Sequence, residues 1–198
     1  MNLPNKITIS RIVLSVLVMI ILMIPFDSLF SWWDPIRVTS TISLDYKYII
    51  AGVLFLIASL TDKLDGYLAR KNNQVTDLGK MLDAIADKIL VNGVLIILAC
   101  DGKFNAAVPV IIITRDIIVD TCKMMSGNKG KVVAASWLGK IKTAFMMTGV
   151  TFILFGNLPF QLVNFDFSLF CIIIATVLSV VSGCDYYFKT KEVLTKAK

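Results

Sequence analysis

Four aspartates lie close together in a chain that is otherwise strongly apolar. Asp62 and Asp65 are three residues apart in a stretch with helical periodicity, and Asp83 and Asp87 are four residues apart in the next such stretch. Residues three or four positions apart share one face of a helix. Each of two helices is therefore predicted to present one pair of carboxylates, and these four side chains are the first candidates for chemistry.

The two pairs are also predicted to lie at the same depth. Asp65 and Asp83 each lie nine residues from position 74, the middle of the intervening loop, while Asp62 and Asp87 lie twelve and thirteen residues from it. At about 1.5 Å of rise per residue, antiparallel neighbouring helices would bring the two pairs face to face. The spacing thus predicts one shared site.

Carboxylates gathered in an apolar layer need a positive partner, since an aspartate in the centre of a membrane costs about 2.5–3.5 kcal/mol. An all-oxygen ligand set suits Mg²⁺ or Mn²⁺. Two such ions about 3.5–4 Å apart would suit a displacement at phosphorus. The alternative is a buried network in which the aspartates pair with basic residues nearby in the sequence, namely Lys63, Arg70, Lys80 and Lys88.

The elements that carry these side chains are predicted to be membrane helices. Of the 198 residues, 57% are hydrophobic and 17% are charged, and the mean hydropathy is +0.78. A membrane span needs about 20 mostly apolar residues. We predict an all-α integral membrane protein, a six-transmembrane-helix bundle that forms a single domain over residues 1–198. The predicted spans are 7–26, 47–70, 78–101, 104–125, 138–156 and 168–188.

Residue counts narrow the chemistry further. Histidine is absent, which excludes His-based triads and His-ligated zinc. The four cysteines follow no CxxC spacing, so the sequence favours neither a zinc site nor a disulfide framework. Carboxylates must therefore carry any acid–base step.

Lysines and arginines set the predicted orientation. With the N-terminus inside, most basic residues fall in the N-terminal tail, the 71–77 loop, the 126–137 connector or the C-terminal tail. The opposite side has Arg37, Lys47 and Lys103. This is the positive-inside pattern, so both termini and the aspartate site are predicted to be cytoplasmic. The net charge of +6 needs no nucleic acid as a partner, and it would attract anionic membrane lipids.

The stretch from Asp62 to Asp87 reads D-x-x-D-G-x-x-A-R, eight residues, and then G-x-x-x-D-x-x-x-D. In this pattern the chain resembles the CDP-alcohol phosphotransferase family, and the six-span outline agrees with that family over nearly the whole chain. The resemblance implies that Asp62, Asp65 and Asp83 ligate one divalent metal ion and that Asp62, Asp83 and Asp87 contribute to a second. It also implies that Asp87 is the general base, that the donor is a CDP-linked lipid and that the protein is a homodimer.

Small residues beside the aspartates are predicted to belong to the donor site. Gly66 and Ala69 leave room next to Asp65 for a flat base or a diphosphate, and Gly79 would do the same on the opposite helix. The alternative is close helix packing, which small residues also serve.

Four further residues are candidates for the same site. Arg70 could bind phosphate oxygens or anchor the helix at the interface. Thr76 resembles a donor-binding position in the family. The N-terminal NLPNKITISR resembles a Pro-Asn-x-x-Thr stretch of family members, so Asn5 and Thr8 could touch the donor. A helix start would also explain that stretch.

Basic residues in spans four and five predict an acceptor site. Arg115 lies inside an apolar run, and span five begins with LGKIKT, which contains Lys140, Lys142 and Thr143. A phosphorylated acceptor carries about two negative charges and needs such cations. The alternatives are positive-inside lysines and a buried pair of Arg115 with Asp116 or Asp120.

The G-K-x-K-T sequence resembles bacterial family members that use glycerol 3-phosphate, although Asp116 stands where those members often have Glu. We therefore expect transfer of a phosphatidyl group from CDP-diacylglycerol to glycerol 3-phosphate in the cell membrane. Inositol phosphate, serine or phosphatidylglycerol are alternative acceptors. Intramembrane aspartates also occur in ion pathways, so a divalent-cation transporter is a second class. A non-catalytic scaffold leaves the aspartates unexplained.

Two loops carry no assigned chemistry. The 27–45 segment is predicted to be an outer loop, and the 126–137 connector is a candidate lid or interfacial helix.

Overall fold

The computed structural model describes the backbone of residues 3–26, 36–39, 42–71, 77–128 and 137–195. Within these ranges the chain forms six long α-helices and one β-hairpin. The helices are α1 (Leu3–Met23), α2 (Tyr46–Lys71), α3 (Asp77–Cys100), α4 (Ala107–Asn128), α5 (Trp137–Leu154) and α6 (Phe167–Thr195).

The predicted helical architecture is confirmed, because each of the six predicted spans overlaps one of these helices. The described chain also contains one short β-hairpin that the sequence analysis did not predict. The 27–45 segment contains the antiparallel strands β1 (Ile36–Thr39) and β2 (Ile42–Leu44), in which Ile36 lies opposite Leu44. The strands are rich in β-branched residues, which favour extended backbone. The buried Leu44 of β2 packs closely against Gly156.

Two described helices are long and apolar enough to cross a membrane. Asn5–Met23 has a mean hydropathy of 2.2 and Phe167–Lys191 one of 2.4. Only 28% and 33% of their apolar windows are buried in the protein. Apolar surface of this extent is costly in water and is suited to lipid. The number of spans and the side on which the termini lie stay predictions.

The position of α1 differs from the predicted arrangement. Antiparallel α2 and α3 were expected to face each other directly. Among the described residues, however, α1 packs extensively against both helices, whereas few contacts join α2 to α3. Val18 and Leu22 of α1 join Phe55 of α2 and Leu90 of α3 in one fully buried cluster. The aspartate-bearing helices are thus held together through a third helix.

The second group of contacts joins α5 and α4 to α6. At Gly149 in α5, a Cβ atom would lie 2.9 Å from Ile172 Cδ1 and 3.2 Å from Cys171 Cβ of α6. Both distances are shorter than ordinary carbon contacts, which begin at about 3.5 Å. The two helices therefore approach closely because this position has no side chain. The 129–136 part of the connector lies outside the described residues, so its predicted role as a lid stays a prediction.

We expect Gly149→Val to lower the melting temperature of the purified protein in detergent. The added atoms would force α5 and α6 apart, and overpacking of this kind costs about 1–3 kcal/mol. Gly127→Val in α4 is the matched control, since a Cβ atom there meets nothing within 4 Å. Equal losses in the two variants would contradict the close approach.

Candidate active site

The aspartate site lies where α1, α2 and α3 meet. Asp62 belongs to α2, and Asp83 and Asp87 belong to α3. Asp62 and Asp83 are partly exposed, with 36% and 52% of their side chains accessible. Asp65 also lies in α2, but the structure does not describe its side chain. Its place in the site therefore stays a prediction.

Arg11 of α1 joins Asp62 and Asp83. Its Nη1 forms an ion pair with Asp62 Oδ1 that lacks hydrogen-bond geometry. Its Nη2 donates to Asp83 Oδ1 at 2.5 Å and to the Asp83 carbonyl oxygen at 3.2 Å. The Arg11 residue is only 2% exposed. One buried guanidinium therefore links the two aspartate-bearing helices.

The alternative network of Lys63, Arg70, Lys80 and Lys88 is contradicted at one of its members. Lys88 pairs with Asp120 instead of the aspartate site, and the side chains of Lys63, Arg70 and Lys80 lie outside the described ones. The sequence analysis did not assign Arg11 to this site. Its position inside an apolar helix was the available signal, because ionisable residues within spans are usually functional.

Two predicted donor residues lie on the same face of α1 as Arg11. Asn5, Thr8 and Arg11 are spaced by three residues and all are buried, with Asn5 6% and Thr8 3% exposed. Both residues already take part in contacts within the protein. This face of α1 packs against α2 and α3, so Asn5 and Thr8 lie on the side of the helix that borders the aspartates.

The other predicted donor residues are less completely described. Gly66, Ala69 and Arg70 lie in α2, but their side-chain positions are outside the described part of the chain. Thr76 lies outside it altogether. Gly79 is in the first turns of α3 and is partly buried. The donor-site roles of these residues stay predictions.

A cavity of about 260 Å³ brings Asp87 together with the predicted acceptor residues. We call it the cationic cavity. It is lined by Asp87 of α3 and by Arg115, Lys140, Lys142 and Thr143 of α4 and α5. The residues that were grouped by charge in the sequence thus meet beside one aspartate in the structure.

Asp116 holds two of the cations of this cavity. Its Oδ1 accepts a hydrogen bond from Arg115 Nη1 at 2.9 Å and another from Lys142 Nζ at 2.7 Å. Lys142 is 3% exposed, so its ammonium depends on this carboxylate for charge compensation. Of the two alternative pairs for Arg115, the one with Asp116 is present. Asp120 is engaged by Lys88 and by Lys123.

Helix α6 also holds Arg115 in place. The sequence analysis did not predict this contribution of α6. Arg115 Nε donates to the Ser179 carbonyl oxygen at 3.1 Å, and Nη2 donates to Ser182 Oγ at 2.7 Å. A Cβ atom at Gly183 would lie 2.8 Å from Arg115 Cγ, so this position of α6 has no room for a side chain. A guanidinium has five N–H donors. The hydrogen bonds of Arg115 to Ser179, Ser182 and Asp116 use three of them. The sequence signal for this contact was the group of small residues Ser179, Ser182 and Gly183 in α6.

Lys140 and Thr143 occupy the cavity in different ways. Lys140 is exposed and forms no ion pair with a described residue. The Thr143 hydroxyl donates to the Gly139 carbonyl oxygen at 3.0 Å, one turn earlier in α5. Tyr186 of α6, which is 2% exposed, adds an aromatic wall that the sequence analysis did not identify.

The donor chemistry of the aspartate site fits a hard divalent cation. Among the described side chains, no three Asp, Glu, Cys or His groups lie close enough together to hold a metal ion, and Asp65 is not among those side chains. Asp62 and Asp83 nevertheless converge on one guanidinium, so carboxylates from two helices lie within reach of a single cation. Oxygen donors of this kind suit Mg²⁺ or Mn²⁺.

The described structure combines two helices that are long and apolar enough to cross a membrane with a carboxylate site and a cationic cavity. Residues 1–181 match the family model described as CDP-alcohol phosphatidyltransferase. The chain therefore belongs to the CDP-alcohol phosphatidyltransferase family and is a transferase. Together with the two apolar helices, this membership identifies a membrane protein.

Individual relatives agree with the family assignment. The CDP-diacylglycerol–glycerol-3-phosphate 3-phosphatidyltransferase of Bacillus subtilis is 43% identical over 193 residues, 98% of this chain and 97% of that protein. The Rickettsia bellii protein of the same name is 32% identical over 192 residues, 96% of each chain. The Mycoplasma genitalium protein of that name is 46% identical over 112 residues, 57% of this chain and 48% of that protein.

We expect Asp116→Asn to destabilise the protein strongly. Removing one partner of a buried ion pair leaves its cation uncompensated and costs about 3–5 kcal/mol. The measurement is the melting temperature in detergent. Asp185→Asn is the matched control, because its pair with Lys189 in α6 is solvent-accessible, and such pairs contribute about 0–1 kcal/mol. Similar melting of the two variants would contradict the structural role of Asp116.

Proposed function

We propose that this chain catalyses metal-dependent transfer of a phosphatidyl group from CDP-diacylglycerol to glycerol 3-phosphate in phospholipid biosynthesis. The products are phosphatidylglycerophosphate and CMP. The observation that carries the proposal is the cationic cavity, where Asp87 lies beside residues suited to a phosphate group. The names of the Bacillus subtilis and Rickettsia bellii relatives support the same donor and acceptor.

The acceptor phosphate binds in the cationic cavity. Lys140 supplies an exposed ammonium group, and Arg115 retains two N–H donors beyond those used by the protein. Lys142 and Thr143 complete the binding set. Charge-assisted hydrogen bonds to phosphate are stronger than neutral ones. A phosphorylated alcohol is therefore favoured over serine, which would leave these donors without an anion.

Asp87 acts as the general base in this proposal. With its phosphate in the cationic cavity, glycerol 3-phosphate directs its free primary hydroxyl to Asp87, which accepts the proton. The hydroxyl oxygen forms a bond to the lipid-side phosphorus of CDP-diacylglycerol, and the bond from that phosphorus to the CMP oxygen breaks. CMP leaves with the electron pair of that bond, and no covalent enzyme intermediate is required.

The aspartates Asp62, Asp65, Asp83 and Asp87 would hold two divalent ions, Mg²⁺ or Mn²⁺. When bound, such ions offset the negative charge of the donor diphosphate during displacement. The family generally uses divalent metal ions, and the oxygen-only donor set agrees with that use. Arg11 neutralises only one carboxylate charge, so the site still requires further positive charge.

The CDP-linked end of the donor is proposed to bind next to the aspartates. The residues assigned to it are Asn5, Thr8, Gly66, Ala69, Arg70, Thr76 and Gly79. The acyl chains remain in lipid, while the acceptor enters from the cytoplasm. This arrangement needs a single six-span domain over residues 1–198, with both termini and the site at the cytoplasmic side of the cell membrane. We propose that the protein acts there as a homodimer.

We expect Asp87→Asn to reduce the kcat of CMP release by about 10²–10⁴-fold, because an amide cannot accept the acceptor proton and general-base catalysis contributes about this factor. The assay uses purified protein, CDP-diacylglycerol, glycerol 3-phosphate and Mg²⁺ or Mn²⁺, with a metal-free control. Asp185→Asn should retain wild-type kcat. Undiminished CMP release by Asp87→Asn would refute the assignment of the base.

We expect Lys140→Met to raise the KM for glycerol 3-phosphate by about 10-fold, because one charge-assisted hydrogen bond contributes about 1.5–3 kcal/mol and this side chain is exposed. Lys189→Met, which removes an exposed lysine of α6, should leave KM unchanged.

A panel of inositol phosphate, serine and phosphatidylglycerol, followed by lipid product analysis, tests the acceptor. Preference for serine, or equal KM values in the two variants, would count against the cationic cavity as the phosphate site.

A further inference from the structure

Arg11 occupies a position that none of the proposed steps uses. Its guanidinium is buried, it belongs to α1, and it reaches carboxylates on two other helices. It contacts Oδ1 of Asp62 and Oδ1 of Asp83, and it also contacts the Asp83 backbone. Within the described part of the chain, Arg11 contacts only one oxygen of each carboxylate.

We propose that Arg11 is a positioning residue that holds Asp62 and Asp83 at the separation required for a shared divalent ion. The proposal rests on the metal site of the proposed function. Arg11 itself does not contact substrate or metal. Its effect on catalysis passes through the two carboxylates that it orients.

The packing explains why such a residue is needed. Among the described residues, α2 and α3 share few contacts with each other and many with α1, so α1 is the described link between Asp62 and Asp83. The two carboxylates carry like charges, which favours their separation. A guanidinium is planar, remains charged and presents N–H groups in a fixed fork, so it can hold two carboxylates in one geometry.

Burial limits the movement of the Arg11 guanidinium. Arg11 lies on the buried face of α1, and its backbone carbonyl accepts a hydrogen bond from Ser15 Oγ at 2.7 Å. Its contact with the Asp83 carbonyl ties it to the α3 backbone as well as to the side chain. Hydrogen bonds to ligating carboxylates from such outer partners typically change metal affinity by about 10–100-fold.

The test is Mn²⁺ binding to the purified full-length protein in detergent without substrates, followed by the electron paramagnetic resonance signal of free Mn²⁺. We expect Arg11→Gln to raise the Kd for Mn²⁺ by about 10–100-fold. Lys6→Gln is the matched control, because Lys6 is an exposed cation on the same helix. That variant should retain the wild-type Kd. Wild-type or tighter Mn²⁺ binding by Arg11→Gln would overturn the proposal.

A second variant keeps the positive charge and changes only the geometry of the N–H donors. Arg11→Lys retains a cation in the buried position, so it is the informative variant if Arg11→Gln does not fold. We expect its Kd to lie between those of the wild type and Arg11→Gln, because an ammonium lacks the planar pair of donors. A wild-type Kd in Arg11→Lys would overturn the role of the guanidinium geometry.

Asp83→Asn separates failure of this inference from failure of the proposed function. Loss of Mn²⁺ binding in Asp83→Asn but not in Arg11→Gln would refute only the role of Arg11. Mn²⁺ binding that is unaffected in Asp83→Asn would refute both the metal site and the role of Arg11. Weaker binding in Arg11→Gln and Asp83→Asn, with no further loss in the double variant, would support coupling between the two residues.

Discussion

The ion pairs of Arg11 with Asp62 and Asp83 connect three helices at a single buried point. Charges are expensive in an apolar bundle unless they are compensated. A guanidinium that contacts two carboxylates at once ties α1 to both α2 and α3. The helix nearest the N-terminus is for this reason part of the site and not only a membrane anchor.

The same constraint operates a short distance away in α4, α5 and α6. Asp116 compensates Arg115 and Lys142, and α6 supplies a carbonyl, a hydroxyl and the bare surface at Gly183 against Arg115. Structural pairing and substrate binding are compatible here. Arg115 retains N–H donors after its protein contacts, so the pair fixes its position without using all of its capacity to bind an anion.

The two charged networks meet at Asp87, which is in α3 with Asp83 and also lines the cationic cavity. One turn of helix separates the two aspartates, so the helical repeat connects the proposed metal site to the proposed acceptor site. This proximity agrees with the chemistry of the family, in which a group passes between two substrates.

The sequence by itself determined the helices, because apolar runs and the spacing of three or four residues between aspartates are local properties of the chain. It also indicated the family and grouped the basic residues of the cationic cavity. Only the tertiary structure decided that α1 lies between α2 and α3, that Arg11 pairs with Asp62 and Asp83, and that α6 holds Arg115. These contacts join residues about 50–70 positions apart, and local periodicity carries no information about which faces of distant helices meet.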